Sequence, residues 1–128
     1  MVQESKQGPG ILDSVVLGSP LAEAWVLLRR DRADEAASAF ESIVQKESDN
    51  VDALYGKGLA LRAAGKADAA VEVFQKALQL SRKMLAEVRS QYGVSDTSSS
   101  LETSEDDRYM MLDRMICQRL AELGVEVE

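Results

Sequence analysis

The sequence has no histidine, one cysteine and two prolines, and aromatic residues make up only 5% of its 128 positions. The lack of histidine removes the commonest general base and metal ligand, which disfavours acid–base catalysis and a zinc site. The single cysteine, Cys117, cannot form an internal disulfide, which is compatible with a reducing compartment. Few aromatics beside abundant alanine and leucine favour closely packed helices over a β-sheet.

Strong basic clusters and long apolar runs are also missing. The formal net charge is -7, and the densest basic clusters, at residues 29–32 and 82–83, are short. Binding to nucleic acid or to an anionic membrane requires basic clusters that neutralise phosphates, so both partners are disfavoured. The apolar stretch at residues 11–17 contains Asp13 and Ser14 and is much too short to cross a bilayer. We therefore expect a cytoplasmic protein without a nucleic-acid or membrane partner.

No group of residues has the pattern of a catalytic site. Cys117 lies in an amphipathic segment without a histidine to activate it, so a small, buried or half-buried apolar residue is the favoured interpretation. The carboxylates concentrate at expected loops and helix starts, where capping and solvation explain them. We therefore expect no enzymatic activity, no catalytic residues, no cofactor and no metal.

What the sequence does contain is an internal repeat with a period of 34 residues. Ala36 and Ala70 lie 34 positions apart, and so do Phe40 and Phe74. The same offset relates three further pairs: Ala24 with Gly58, Leu27 with Leu61, and Gln45 with Gln79. A fixed period of this length is typical of helical repeat arrays, in which each unit is a pair of packed helices.

The second unit has the clearer signals of a helical hairpin. Leu54, Gly58 and Leu61 follow the i, i+4, i+7 spacing of one helix face. Gly65 then supplies a residue that tolerates the left-handed conformation past a helix end. A second helix is predicted from about Ala67 onward.

The first unit also predicts two helices joined by a turn, but its turn signal is weaker. Ser19 and Pro20 predict a helix start, because a capping hydroxyl precedes a proline where no amide hydrogen bond is lost. Asp31 and Arg32 stand in place of the turn glycine, so this turn is less ideal than that of the second unit.

On these residues, positions 50–80 resemble a well-formed tetratricopeptide repeat, and positions 17–50 resemble a poorer copy with Pro20 and Glu23 at usually apolar places. The resemblance covers about half the chain. It implies an all-α fold, a tetratricopeptide-like α-α superhelix of two helical hairpins over residues 17–93. In this family, the first helix of each hairpin lines a concave groove that holds a peptide or helix of another protein. The groove residues implied here are Leu21, Trp25, Leu28, Arg29, Tyr55, Leu59 and Arg62.

The last repeat helix is predicted to be unusually long. The family usually has a proline after the repeat, whereas this chain has Arg82. Without that breaker, an apolar pattern that includes Leu78 and Leu85 continues to Gly93. This predicts a helix of roughly 25 residues, about 37 Å long.

The remaining chain is predicted to be a linker and a capping helix. Residues 94–105 are rich in serine, threonine and acids, and a solvated linker explains them better than the acidophilic kinase sites that Ser99, Thr103 and Ser104 resemble. Residues 106–123 have a helical apolar stripe before Gly124, with a tail to residue 128. Within that helix, Met110 and Met111 cannot both face inward, so one of them is expected to be exposed.

Two hairpins leave apolar surface that needs a cover, because about three repeats are normally required for stability. One alternative is that helix 106–123 folds back as a substitute third-repeat helix while the N-terminal segment, flexible over residues 1–16, covers the first repeat with its apolar part. The other is a homodimer, in which two chains cover each other. Trp25 is correspondingly either a ligand contact or core beneath residues 11–17.

Two functions fit this prediction. The first is an adaptor or scaffold whose groove binds a peptide or helix of another protein, since the implied groove mixes aromatic, aliphatic and arginine side chains. The second is a structural or assembly subunit that acts through homodimerisation or helix–helix contacts. An RNA-binding repeat ranks well below both, because the chain as a whole is acidic.

Overall fold

The computed structural model describes residues 19–91 and 104–127, which form five helices and no strand. The helices are α1 (Pro20–Arg29), α2 (Ala33–Lys46), α3 (Val51–Ala63), α4 (Ala67–Gln91) and α5 (Ser104–Glu122). The predicted all-α class and the helical pairs α1–α2 and α3–α4 are confirmed. The predicted N-terminal segment 1–16 and most of the predicted linker 94–105 lie outside the described residues.

The helix starts follow the capping chemistry expected from the sequence. The side-chain oxygen of Ser19 accepts a hydrogen bond from the Ala22 amide at 3.0 Å, and Pro20 opens α1. At the corresponding start of α3, the Asn50 side chain accepts from the Ala53 amide at 3.0 Å. Each cap satisfies a backbone donor that has no partner within its own helix.

The two hairpin turns use equivalent residues in the same unusual conformation. Asp31 and Gly65 are 34 positions apart, and their φ angles are 61° and 83°. Glycine adopts this left-handed region without a steric penalty, whereas an aspartate experiences one. The weaker turn signal of the first hairpin therefore corresponds to a strained residue at the same place.

We expect Gly65→Ala to lower the free energy of unfolding by about 1 kcal/mol, since alanine disfavours a positive φ. The converse change, Asp31→Gly, is expected to raise it by about 0.5 kcal/mol. Urea unfolding followed by circular dichroism measures both effects. Effects of opposite sign at the two turns would support their equivalence, and destabilisation by Asp31→Gly would contradict it.

The core places the repeat residues at equivalent positions. Ala36, Phe40, Ala70 and Phe74 are all completely buried. A Cβ atom added at Gly56 would overlap the ring of Phe40, and one added at Gly58 would overlap the ring of Phe74. Helix α3 therefore lies between the phenylalanines of both hairpins, and two glycines let it approach them.

Helix α4 has 25 residues, as its missing breaker predicted, and its second half packs antiparallel to α5. The Ser81 hydroxyl donates to the Tyr109 carbonyl at 3.2 Å. Further along, the Arg89 guanidinium donates to the Asp106 carboxylate at 3.1 Å. Helix α5 starts two residues before the predicted position and ends before Gly124, which has a φ of 84°.

Helix α5 also lies beside α3, in the same direction. Arg108 pairs with Asp52 near the start of α3, and Arg62 near its end pairs with Glu122 at 2.6 Å. A helix antiparallel to α4 and parallel to α3 stands where the first helix of a third hairpin would stand. The chain therefore covers its second hairpin with its own helix, as the fold-back alternative predicts.

Apolar burial holds α5 in place, and the ion pairs fix its register. The α5 residues Tyr109, Leu112, Ile116 and Leu120 join one core cluster with the second hairpin. Fully burying such a side chain contributes about 1.5–3 kcal/mol. The ion pairs between α5 and α3 are substantially exposed, and solvent-exposed pairs contribute little to stability.

Candidate protein-binding surface

One side of α3 is left open by its neighbours. Asp52, Leu59 and Ala63 follow the i, i+7, i+11 spacing of one helix face, and each is half-buried or exposed. Other sides of α3 pack against α2 and α4, and two ion pairs connect α3 to α5. We call this side, together with the corresponding sides of α1 and α5, the open face; it is defined by Trp25, Leu59 and Met111.

Trp25 is the α1 equivalent of Leu59, 34 positions earlier. Its ring meets Phe40 edge-on, with centroids 5.0 Å apart and planes at 77°. The side chain is half-buried and packs against both core clusters. The indole is therefore partly packed in the core and partly exposed.

Tyr55 and Arg62 lie on the flank of α3 next to α5, Tyr55 in the core cluster that contains α5 residues and Arg62 in an ion pair with Glu122. Tyr55 is 5% exposed, and its ring centroid is 5.9 Å from that of Phe74. The Arg62 guanidinium donates to Glu122 at 2.6 Å, and this hydrogen bond lowers the pKa of the Glu122 carboxyl. Neither side chain is free to meet a partner while α5 is in place.

The other residues predicted for the groove lie on α1. Leu21 and Leu28 are half-buried and pack against the cluster of the first hairpin. Arg29 is exposed in the last turn of α1, one position after Leu28. Of the predicted groove residues, only Arg29 is exposed and only Tyr55 is buried, while the others are half-buried.

Helix α5 adds a residue that the predicted groove did not include. Met111 is 58% exposed, whereas Met110 is half-buried with its sulfur 3.5 Å from the Arg89 guanidinium. The expectation that one of the two methionines is exposed is confirmed. Met111 lies between Arg108 at i−3 and Met115 at i+4, on the side of α5 turned toward α3 and away from α4.

Charges border the seam between α3 and α5, and its centre is apolar. The Asp52–Arg108 pair stands at one end, while Glu122 at the other end accepts from Arg62 and from Arg119, the latter at 2.9 Å. Along α3, Leu59 lies between Asp52 and Arg62, and along α5, Met111 and Met115 lie between Arg108 and Glu122. A ligand that lies across the seam would meet apolar surface first and ionic groups at either side.

The described part of the chain offers little for catalysis or metal binding. Cys117 is half-buried, and burial together with its hydrogen bond to Asp113 raises the pKa of the thiol, which keeps it protonated. Among residues 19–91 and 104–127, no three histidine, cysteine or acidic residues are grouped to hold a metal ion. No helix in the same residues is long and apolar enough to cross a membrane.

Comparison with known proteins agrees with this architecture. A family model for the tetratricopeptide repeat matches residues 21–84, half of the chain. The human tetratricopeptide repeat protein 13 is 37% identical over 59 residues, 46% of this chain and 7% of that protein. A probable UDP-N-acetylglucosamine–peptide N-acetylglucosaminyltransferase of Arabidopsis thaliana, SPINDLY, is 33% identical over 60 residues, 47% of this chain and 7% of that protein.

The matched region thus spans a small part of either relative, and no solved structure matches the chain. Repeats of this family generally mediate protein–protein interaction and are generally not catalytic. With the family model covering both hairpins and the two phenylalanines at equivalent buried positions, this chain belongs to the tetratricopeptide-repeat family.

Proposed function

We propose that this chain is a non-enzymatic adaptor module that binds a segment of another protein on the open face. The supporting observation is the position of Met111, 58% exposed on the helix that stands beside α3. Together with Leu59 and Trp25, it gives each of α1, α3 and α5 one large apolar side chain on the same side. Such a row suits a helix or extended peptide that crosses all three helices.

The side chains of this row favour an apolar segment. Tryptophan is enriched among the residues that contribute most to protein interfaces, and methionine adapts its shape to different neighbours. Arg29, exposed at one end of α1, could meet a carboxylate of the same partner. We therefore expect a partner segment with aliphatic or aromatic side chains in its centre and an acidic residue at one end.

Met111→Asp is expected to weaken binding of such a partner about 10–100-fold, because it places a charge in an apolar contact. The fold should persist, since Met111 is largely exposed. A protein captured by the unmodified chain would be identified by mass spectrometry, and its affinity for both forms measured by calorimetry. Gln79→Asp, an exposed position on α4, is the matched control and should leave the affinity unchanged. Equal affinity of the Met111 variant would contradict the proposed surface.

The alternative, an assembly subunit that works through homodimerisation, has less support. In a homodimer, the last turns of the long helix would pack against a second chain. In the structure, Val88 is 8% exposed and Arg89 pairs with Asp106 of α5. Light scattering over a concentration series tests the alternative, and a dimer that loses helix when it dissociates would favour it.

A further inference from the structure

The outer flank of the first hairpin has an opening where the second hairpin has a neighbouring helix. Three α3 residues, Gly56, Lys57 and Ala60, face α2 of the preceding hairpin. There is no room for a Cβ at Gly56 beside the Phe40 ring, Lys57 pairs with Glu41 at 2.6 Å, and Ala60 is completely buried. The corresponding α1 residues, 34 positions earlier, are Ala22, Glu23 and Val26.

No helix among the described residues lies against those α1 residues. Ala22 and Val26 are only half-buried, and Glu23 is exposed. Beside them runs a groove of about 210 Å³ between α1 and α2. Its lining includes Pro20, Leu27, Ala39 and Ile43, with Lys46 and Glu47 at one end.

We propose that residues 11–17 of the same chain occupy this groove and act as an intramolecular cap on the first hairpin. Only Gly18 and Ser19 separate this segment from Pro20, which itself lines the groove. A tether this short gives the segment an effective concentration in the millimolar range or above, which a free partner rarely reaches. The cap would stand where the second helix of a preceding hairpin would stand.

The length and pattern of the segment fit this place. From Pro20 to Leu27, the α1 side of the groove extends over seven helical steps, about 10 Å. Seven residues in a helix, 11–17, are also about 10 Å long. In a helix, Ile11, Leu12, Val15 and Val16 share one face, and Asp13 and Ser14 lie on the opposite face.

The sequence before the segment limits how far such a cap can extend. In a complete preceding repeat, the positions 34 residues before those of α2 would be helical. Gly8, Pro9 and Gly10 are among these positions, and proline interrupts a helix. The cap is therefore a short one rather than part of a third repeat. It approaches α1 on the side of Ala22 and Val26, which leaves Trp25 on the open face.

Disulfide cross-linking in the full chain tests the proposal. In a Cys117→Ser background, Ile11→Cys is combined either with Val26→Cys, beside the groove, or with Leu28→Cys, two positions further on and therefore on the opposite side of α1. We expect the Val26 pair to form an intrachain disulfide at least about tenfold faster than the Leu28 pair, because only Val26 lies on the side of α1 that the cap would contact. Equal rates would overturn the proposal. Disulfide-linked dimers would also overturn it, because the occupant would then be a second copy.

A stability measurement gives an independent readout. Val15→Asp would put a charge on the buried face of the cap and is expected to lower the Tm by about 5 °C. Ser14→Asp, on the opposite face, should leave the Tm unchanged. If the two variants have the same Tm, the segment does not pack on the hairpin.

Discussion

Replacing Ile116 by aspartate is expected to lower the free energy of unfolding by at least about 3 kcal/mol, because an unpaired carboxylate would be buried in an apolar core. Ile116 is completely buried in the middle of α5. Its cluster includes Tyr55 of α3 and both Leu78 and Val88 of α4. Loss of the α5 contact would therefore expose apolar surface on both helices of the second hairpin.

The control for this prediction is Gln118→Asp, two positions along the same helix. Gln118 is exposed, so its replacement should change the free energy of unfolding by no more than about 0.5 kcal/mol. Urea unfolding measured by circular dichroism compares the two variants. Similar stability of both would mean that α5 is not packed on the repeats.

Phe74→Ala is expected to lower the free energy of unfolding by about 3–5 kcal/mol, because it leaves a cavity that the surrounding helices cannot fill. The ring of Phe74 fills the space beside Gly58 and meets Tyr55. Phe40→Ala should have a comparable effect, since Phe40 is also completely buried and lies against Gly56. The comparison tests whether the two hairpins are equivalent.

The emission of Trp25 distinguishes the two phenylalanine variants. Only Phe40 is in ring contact with Trp25, at 5.0 Å, so only Phe40→Ala should change the emission of the native state directly. A loss below about 1 kcal/mol for either variant would contradict the equivalence, because a buried phenylalanine normally contributes several times more.

The hairpins were predictable because their determinants are local and occur twice. Phe40 and Phe74 are separated by the repeat period, and each occupies the same packing position in its own unit. The length of α4 followed from the absence of a breaker at Arg82, since an apolar helix continues until a residue stops it. Gly65 likewise predicted the second turn, and its equivalent Asp31 adopts the same left-handed backbone.

The residues next to Tyr55 and Arg62 in the sequence did not show whether these side chains would be accessible to a partner protein. A helical pattern shows which residues share a face, but not which face a helix from outside the repeat will cover. Here the covering helix carries Glu122, 60 positions beyond Arg62. Exposed ion pairs of this kind have no sequence signature and little energy. For Met111, the sequence predicted only that either it or Met110 would be exposed.

Residue-resolved hydrogen–deuterium exchange over a dilution series tests most directly whether α5 completes the second hairpin within one chain. We expect the amides of α4 between Val73 and Val88 to open together with those of α5 between Tyr109 and Leu120. Their shared protection should not change as the protein is diluted. Fast exchange throughout α5 beside a protected α3, or protection that falls on dilution, would contradict this account.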